Sequence, residues 1–277
     1  MPGERITTII SEPDDPRIAD FRDVRERDLT GRQGRFIVEG TVVLRMLAAA
    51  HIKGGDFEAE SILILENRLA GVSDILAQFP PDVPVYVAKA SVLDAIVGFH
   101  LHRGILALGR RKTSSGMVET IQRLPASSLV LAGCGISNHD NLGAMFRNAA
   151  AFYADAVFLD ATCCDPLYRK SLRVSVGSVL SVPYHRGGGA IEMLETLAAE
   201  GFDIWSLSPA GTTEIRQIPA SARMALVIGT EGDGLPQDVL SRFHTARISQ
   251  STQLDSLNAG TAAGLALYQM AAAMKRL

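Results

Sequence analysis

Three runs in the second half of the chain are apolar almost throughout: Ser128 to Gly133, Ala156 to Asp160 and Arg223 to Gly229. A strand with one face in water alternates polar and apolar residues, whereas a strand covered on both faces does not. Runs of this kind, followed by polar turns and then by apolar residues at helical spacing, predict a parallel sheet with helices on both faces. Val179–Pro183, Asp203–Leu207 and Thr245–Ile248 read as further strands. Leu142–Tyr153, Ala190–Glu200, Pro236–Arg242 and Ser256–Met274 read as helices.

The first half alternates on a smaller scale. Strands are expected at Phe36–Val38, Ser61–Leu65, Val83–Val87 and Gly104–Leu108, with helices at Thr41–Ala50, Ala70–Phe79 and Ser91–Val97 and a charged helix over Asp23–Gly34. This is a small α/β domain. The polar, basic stretch from Arg110 to Gly116 reads as a linker. A chain of 277 residues suits two domains: residues 1–112, a linker at 113–122, and residues 123–277.

Composition narrows the classes. The chain is 47% hydrophobic and 21% charged, enough apolar material for two cores. A net charge of −3 argues against a binder of nucleic acid through overall charge, but phosphates respond to local patches. Two exist, at His100–Lys112 and at Pro166–Ile191; the latter holds Arg169, Lys170, Arg173, His185 and Arg186 and no acidic residue. Each is either a phosphate contact or solvated surface charge. Cys134, Cys163 and Cys164 form neither a disulfide framework nor a zinc-ligand spacing, and fit free thiols in a reducing cytoplasm. The N-terminus shows no signal-peptide pattern. The apolar stretch Leu257–Met274 is broken by Asn258, Thr261 and Gln269 and is rich in Ala and Gly, so it fits a packed helix and not a membrane span.

Three segments could carry chemistry. Asn138 to Arg147 leads from a strand into a helix, with Asn141 at or beside the N-cap and Arg147 off the apolar face, among Gly143, Ala144 and Ala151. In Gly229-Thr230-Glu231-Gly232-Asp233-Gly234-Leu235-Pro236 three glycines follow a buried strand, letting backbone approach a ligand. Neither a dinucleotide fingerprint nor a phosphate-binding P-loop is present, which disfavours an unrelated nucleotide enzyme. Ile248 to Gly264 is a polar loop entering a helix of very small residues, capped by Asp255 or Ser256, with Asn258 in its first turn. Gly260 and Gly264 inside that helix signal a close approach of another helix, in this chain or in a second copy. Each segment alone has an ordinary structural reading: a surface Arg, a tight turn, a packed helix.

Together they resemble the SpoU (TrmH-type) family of RNA 2′-O-ribose methyltransferases, in the SPOUT superfamily. The first is similar to the family's Asn-x-Gly-x-x-x-Arg at Asn141, Gly143 and Arg147. The second resembles Gly-x-Glu-x-x-Gly-Leu at Gly229, Glu231, Gly234 and Leu235, and the third Ser-Leu-Asn at Ser256, Leu257 and Asn258, downstream of Ile248. The resemblance covers residues 125–277. The first half, through Arg35–Gly40 and His102–Gly104, resembles the small ribosomal-protein-like domain that many such enzymes carry. Two positions depart from the family: Thr230 stands where Asn is usual, and Ser249 where Pro is usual.

The resemblance implies an α/β fold with a C-terminal trefoil-knotted methyltransferase domain, an N-terminal substrate-binding domain and a homodimer. It implies S-adenosylmethionine as cofactor, held by Leu207, Gly229, Thr230, Glu231, Gly234, Ile248 and Leu257. Catalytic work would fall to Arg147, with Asn141, Glu231, Ser256 and Asn258. Arginine stays protonated up to a pH of about 12, so Arg147 is either the family's base, helped by an RNA phosphate, or a cation that orients the phosphate and stabilises the forming alkoxide. RNA would be held by Arg35, Arg103, Arg169, Lys170 and Arg173. Ribosomal RNA is favoured over tRNA as substrate, in the cytoplasm, with no metal. The alternative is a noncatalytic RNA-binding or ribosome-assembly protein that keeps the fold.

Overall fold

The computed structural model describes residues 7–22, 34–97, 104–112, 115–251, 253 and 256–277. The charged helix expected over Asp23–Gly34 falls, but for Gly34, outside them, as does Arg103. In chain order the first part holds β1 (Thr7–Ile10), β2 (Arg35–Glu39), α1 (Thr41–Ile52), β3 (Phe57–Leu65), α2 (Ser73–Leu76), β4 (Val85–Ala88), α3 (Ala90–Val97) and β5 (Ile105–Arg111). There follow α4 (Met117–Gln122), β6 (Ser128–Gly133), α5 (His139–Ala151), β7 (Ala156–Leu159), α6 (Arg169–Val174), β8 (Tyr184–Arg186), α7 (Ala190–Ala199) and β9 (Asp203–Leu207). The chain closes with β10 (Thr213–Glu214), β11 (Arg223–Ile228), α8 (Gln237–Arg242), β12 (His244–Arg247) and α9 (Ala259–Ala273). Arg110 and Arg111, expected in the linker, belong to β5, and residues 117–122 of that linker are helical.

Two units result: Met1–Ser114 with Leu167–Leu180, and Ser115–Pro166 with Ser181–Leu277. In the first, a mixed sheet runs β1-β4-β3-β5-β2, with β5 antiparallel to both neighbours. Its interior includes Ile10, Ile18, Phe21, Leu63, Leu93 and Leu106. The returning segment settles on α1, where a side chain at Gly177 would meet Met46 at 2.8 Å.

In the second unit every pairing is parallel, in the order β10-β12-β9-β11-β6-β7-β8. All six residues of β6 and all four of β7 are buried, as their unbroken apolar character required. Val130, Ala132, Phe158, Leu194, Ala225 and Val227 form the centre of that core. β11 is inserted between β6 and β9, both earlier in the chain, so the strand ends after β6, β9, β11 and β12 share one edge. In parallel α/β sheets, loops at the carboxyl ends of the strands build the ligand site.

Two expected elements differ. Val179–Pro183 is not a strand: Ser178–Leu180 curls into a 3₁₀ turn closed by Leu180 N–H on the Gly177 carbonyl at 2.9 Å. Pairing resumes where Val157 N–H donates to the Pro183 carbonyl at 2.9 Å, and the strand is Tyr184–Arg186. The apolar run is buried by tertiary packing without ladder bonds, and Pro183 has no N–H to give a ladder. Ala70–Phe79 is likewise shorter, a 3₁₀ turn at Ala70–Val72 followed by α2. Among the described residues no helix is long and apolar enough to cross a membrane.

Candidate functional site

Helix α5 starts where Asn138, just past β6, accepts the Asp140 amide at 2.8 Å on its side-chain oxygen. The cap is therefore Asn138, not Asn141. Of the expected apolar face, Leu142, Met145, Phe146 and Ala149 are fully buried and Phe152 partly so, and Asn141 lies in the first turn with 4% of its surface exposed. Its Oδ1 accepts from Asn258 Nδ2 at 2.7 Å. A buried amide without such a partner would be destabilising by about 1–3 kcal/mol, so the contact fixes both residues.

Asn258 is the N-cap of α9. Its Oδ1 accepts from Thr261 N–H at 3.1 Å, so the helix begins at Ala259 and Asn258 caps it in place of Ser256; Asp255, the other expected cap, lies outside the described residues. The same Nδ2 donates to Glu231 Oε1 at 2.8 Å. One amide thus ties the start of α5, the glycine loop and the start of α9. The helices can bring these groups together because they pack without side-chain bulk. A Cβ on Gly260 would lie 2.7 Å from Ala144 Cβ, and Asn148 Nδ2 reaches the Gly260 carbonyl at 2.8 Å. Of the two uses open to the small-residue helix, close approach within the chain accounts for Gly260.

Glu231 is presented by a loop that doubles back on itself. Thr230 and Gly234 form an isolated bridge, and a Cβ on Gly229 would sit 2.5 Å from the Gly234 carbonyl carbon. No side chain fits there, which is why this turn needs glycine.

Beside the network lies a cleft of about 260 Å³. Leu207, Gly229, Thr230, Glu231, Gly234, Ile248 and Leu257 all line it, and Ser256 does too. Among the lining residues that sequence reasoning missed are Ser208, Pro209, Gln250 and Ala262; their position just after β9 and β12 or inside α9 was the available signal. Its walls alternate apolar side chains (Leu207, Ile228, Leu235, Ile248, Leu257) with exposed backbone of the glycine loop. This suits a flat, heteroatom-rich ligand with an apolar face.

Arg147 stands apart from this network. It is exposed, and no hydrogen bond or ion pair joins it to a described residue. Asp160 was not anticipated. Its carboxylate accepts from Gly135 N at 3.0 Å, Thr162 N at 2.9 Å and Cys163 N at 3.0 Å, fixing the loop that feeds α5.

The basic residues are less free than the sequence suggests. Within the first unit Arg35 lies 2.7 Å from Glu60 and 3.5 Å from Asp20, and Arg173 lies 3.9 Å from the buried Glu39. Arg169 and Lys170 occupy the first turn of α6 in the same unit. In the second unit Arg186 donates to the Cys163 carbonyl at 2.9 Å and to the Ala161 carbonyl at 3.3 Å, a structural clasp. The cysteines are free thiols, two buried and Cys164 partly so. Burial, followed by the Asp160 charge, pushes the Cys134 thiol up to about 12.

Residues 128–268 match the model of the SpoU rRNA methylase family. A tRNA/rRNA methyltransferase of Mycobacterium bovis is 36% identical over 94% of this chain and 90% of its own length. A solved structure described as an RNA 2′-O ribose methyltransferase is 26% identical and superposes with a TM-score of 0.79, covering 98% of this chain and all of that one. The AdoMet-bound rRNA methyltransferase of Sinorhizobium meliloti, at 20% identity, shares the fold with a TM-score of 0.80 over 98% of both chains. With the family pattern matched over residues 128–268 and a relative 36% identical over 94% of this chain, the chain belongs to the SpoU family of RNA methyltransferases.

Proposed function

We propose that this protein transfers a methyl group from S-adenosylmethionine to a ribose 2′-hydroxyl of RNA, ribosomal RNA in preference to tRNA. The observation that carries the reading is the Asn258 amide, which joins Asn141 and Glu231 at the rim of the cleft. The solved relative described as a 2′-O ribose methyltransferase supports the choice of acceptor.

Leu207, Ile248 and Leu257 would clasp the adenine ring, and backbone of Gly229, Thr230, Glu231 and Gly234 the polar groups around it. When bound, the cofactor supplies a methyl group on a positively charged sulfur. The chain's own task is to set the ribose oxygen in line and manage its proton. Glu231 and Asn141, held through Asn258 and with Ser256 nearby on the cleft wall, present fixed acceptors and donors to the ribose. Arg147, exposed and without a partner among the described residues, is available to an RNA phosphate. There it either serves as the base with that phosphate's help or, as the physical chemistry of guanidinium favours, stays protonated and stabilises the oxygen while the proton passes to the phosphate or to water.

Residues 1–112 would form the RNA-binding domain, joined through 113–122 to a methyltransferase domain of 123–277. Arg169, Lys170 and Arg173 fall in the same structural unit as Arg35, which supports a shared phosphate-contacting role that also includes Arg103. Arg35 and Arg173 would exchange carboxylate partners for phosphates. Exposed Tyr153, Leu265 and Tyr268, on or beside α5 and α9, suit burial against a second copy in a homodimer. The setting is the cytoplasm.

The test is transfer of labelled methyl from S-adenosylmethionine to RNA from cells lacking this protein, with nuclease digestion to locate the label. Label on a 2′-O-methylated nucleotide of rRNA, absent with Arg147→Ala, is the expected outcome. Label on a base would end the ribose reading.

A further inference from the structure

Ser249 occupies the position where the family pattern has proline, and it does something proline cannot. Its Oγ donates to Glu214 Oε2, and its backbone N–H points at Glu214 Oε1 at 3.4 Å. Proline has neither group. Glu214 is nearly buried, and its mounting is stiff. Strand β10 pairs with β12 through Thr213 opposite Ala246 and Glu214 opposite Arg247. Gly211 approaches so closely that a Cβ there would lie 2.3 Å from the Ala246 backbone. Arg247 clamps the same segment from the side, donating to the Gly211 carbonyl at 2.7 Å and the Thr212 carbonyl at 3.1 Å. Thr212 N–H adds a bond to Thr245 Oγ1 at 3.1 Å.

This clamp links two walls of the cleft. Leu207, Ser208 and Pro209 run into the Gly211–Glu214 segment, while Ile248 and Gln250 flank Ser249. A proline at 249 would stiffen the second wall by fixing φ. Serine leaves φ free, and the stiffness must come from elsewhere.

We propose that Glu214 and Ser249 form a latch that positions the Ile248–Gln250 wall toward S-adenosylmethionine, supplying by hydrogen bonds a rigidity that serine's own backbone does not. Glu214 is a positioning residue: it acts through Ser249 on the loop and does not touch the ligand cleft itself. The inference rests on the cofactor reading above. The side-chain bond from Ser249 also holds the Glu214 carboxyl below its usual range, so the acceptor is charged at neutral pH and the bond is charge-assisted.

Two measurements on the intact protein decide it. Amide hydrogen exchange without ligand reads the loop, and calorimetry with S-adenosylmethionine reads the cleft. Glu214→Ala and Ser249→Ala should each speed exchange at residues 248–251 and raise the cofactor Kd about five- to twentyfold, the size expected for one or two lost hydrogen bonds. Turnover at saturating cofactor should stay within about twofold, because the chemistry lies elsewhere. The double variant should be no worse than Glu214→Ala alone, since the two residues act as one unit. Unchanged exchange at 248–251 in both single variants overturns the latch, as does an unchanged Kd in variants of a protein that binds the cofactor. Failure of the wild-type protein to bind S-adenosylmethionine removes the cofactor reading itself, and with it the latch's role toward that ligand.

Discussion

The side-chain amide of Asn258 donates to Asn141 Oδ1 at 2.7 Å, joining residues 117 positions apart at the starts of two packed helices. Because the same side chain also caps α9 and holds Glu231, its structural and functional duties can be separated by substitution.

Asn258→Asp keeps an oxygen to cap Thr261 N–H but loses both donations and sets a second carboxylate against Glu231. The cap itself is kept, because Asp is as good an N-cap as Asn, so the loss of stability should be the roughly 1–3 kcal/mol of leaving the buried Asn141 oxygen without its donor, while methyl transfer falls at least about tenfold. Asn258→Ala should lose the cap as well, at about 1 kcal/mol. Denaturant midpoints set beside turnover numbers test this; equal turnover in wild type and Asn258→Asp would detach the network from the reaction.

Arg147→Ala should leave the fold and S-adenosylmethionine affinity intact, since the side chain is exposed and has no partner among the described residues. Surface substitutions of this kind change stability by within about 0.5 kcal/mol. Turnover should fall by about a hundredfold or more, the scale of losing a group that stabilises developing charge. Near-normal turnover would remove Arg147 from the mechanism.

Gly260→Ala offers a packing test. Alanine favours a helix over glycine by about 1 kcal/mol, but its methyl would lie 2.7 Å from Ala144 Cβ, and overpacking costs about 1–3 kcal/mol. The clash should win, giving a net loss of stability. Ala144→Gly in the same molecule should recover part of it, a coupling visible in a double-mutant cycle by chemical denaturation.

The thiols give a pH signature. Burial first, then nearby carboxylate charge, raises Cys134 to about 12 and Cys164 to about 11, and lifts Cys163 as well. The native protein should therefore react slowly with thiol reagents at pH 8, and all three cysteines quickly once it is unfolded. The native state holds these protons to higher pH than the unfolded chain, whose thiols titrate near 9. Their contribution to stability is thus complete below pH 9 and is lost as pH rises beyond it. Cys134→Ser should flatten that alkaline decline in urea midpoints; an unchanged decline would count against the burial account.

Much of the parallel unit could be read directly. β6, β7 and β11 lie within about one residue of where their apolar runs put them, because a strand covered on both faces shows in the sequence as a nearly unbroken apolar run. The seven cofactor-contact positions taken from the family pattern all line one cleft. Helix starts were harder: more than one residue near each could serve as cap, and only packing selects Asn138 over Asn141 and Asn258 over Ser256. The run Val179–Pro183 misled because apolar character reports burial, and burial does not require strand pairing.

The amino-acid sequence by itself determined the alternation of buried strands and helices, the glycine turn after β11 and which residue types stand at the strand ends around the cleft. These follow from local periodicity and from side-chain type, which are properties of short segments. The tertiary structure decided which polar groups meet: that Asn258 bridges Asn141 and Glu231, that Ser249 finds Glu214 35 positions away, and that Arg35 and Arg173 face carboxylates. Such pairings depend on strand order and on how closely helices approach. Short-range patterns carry no information about either.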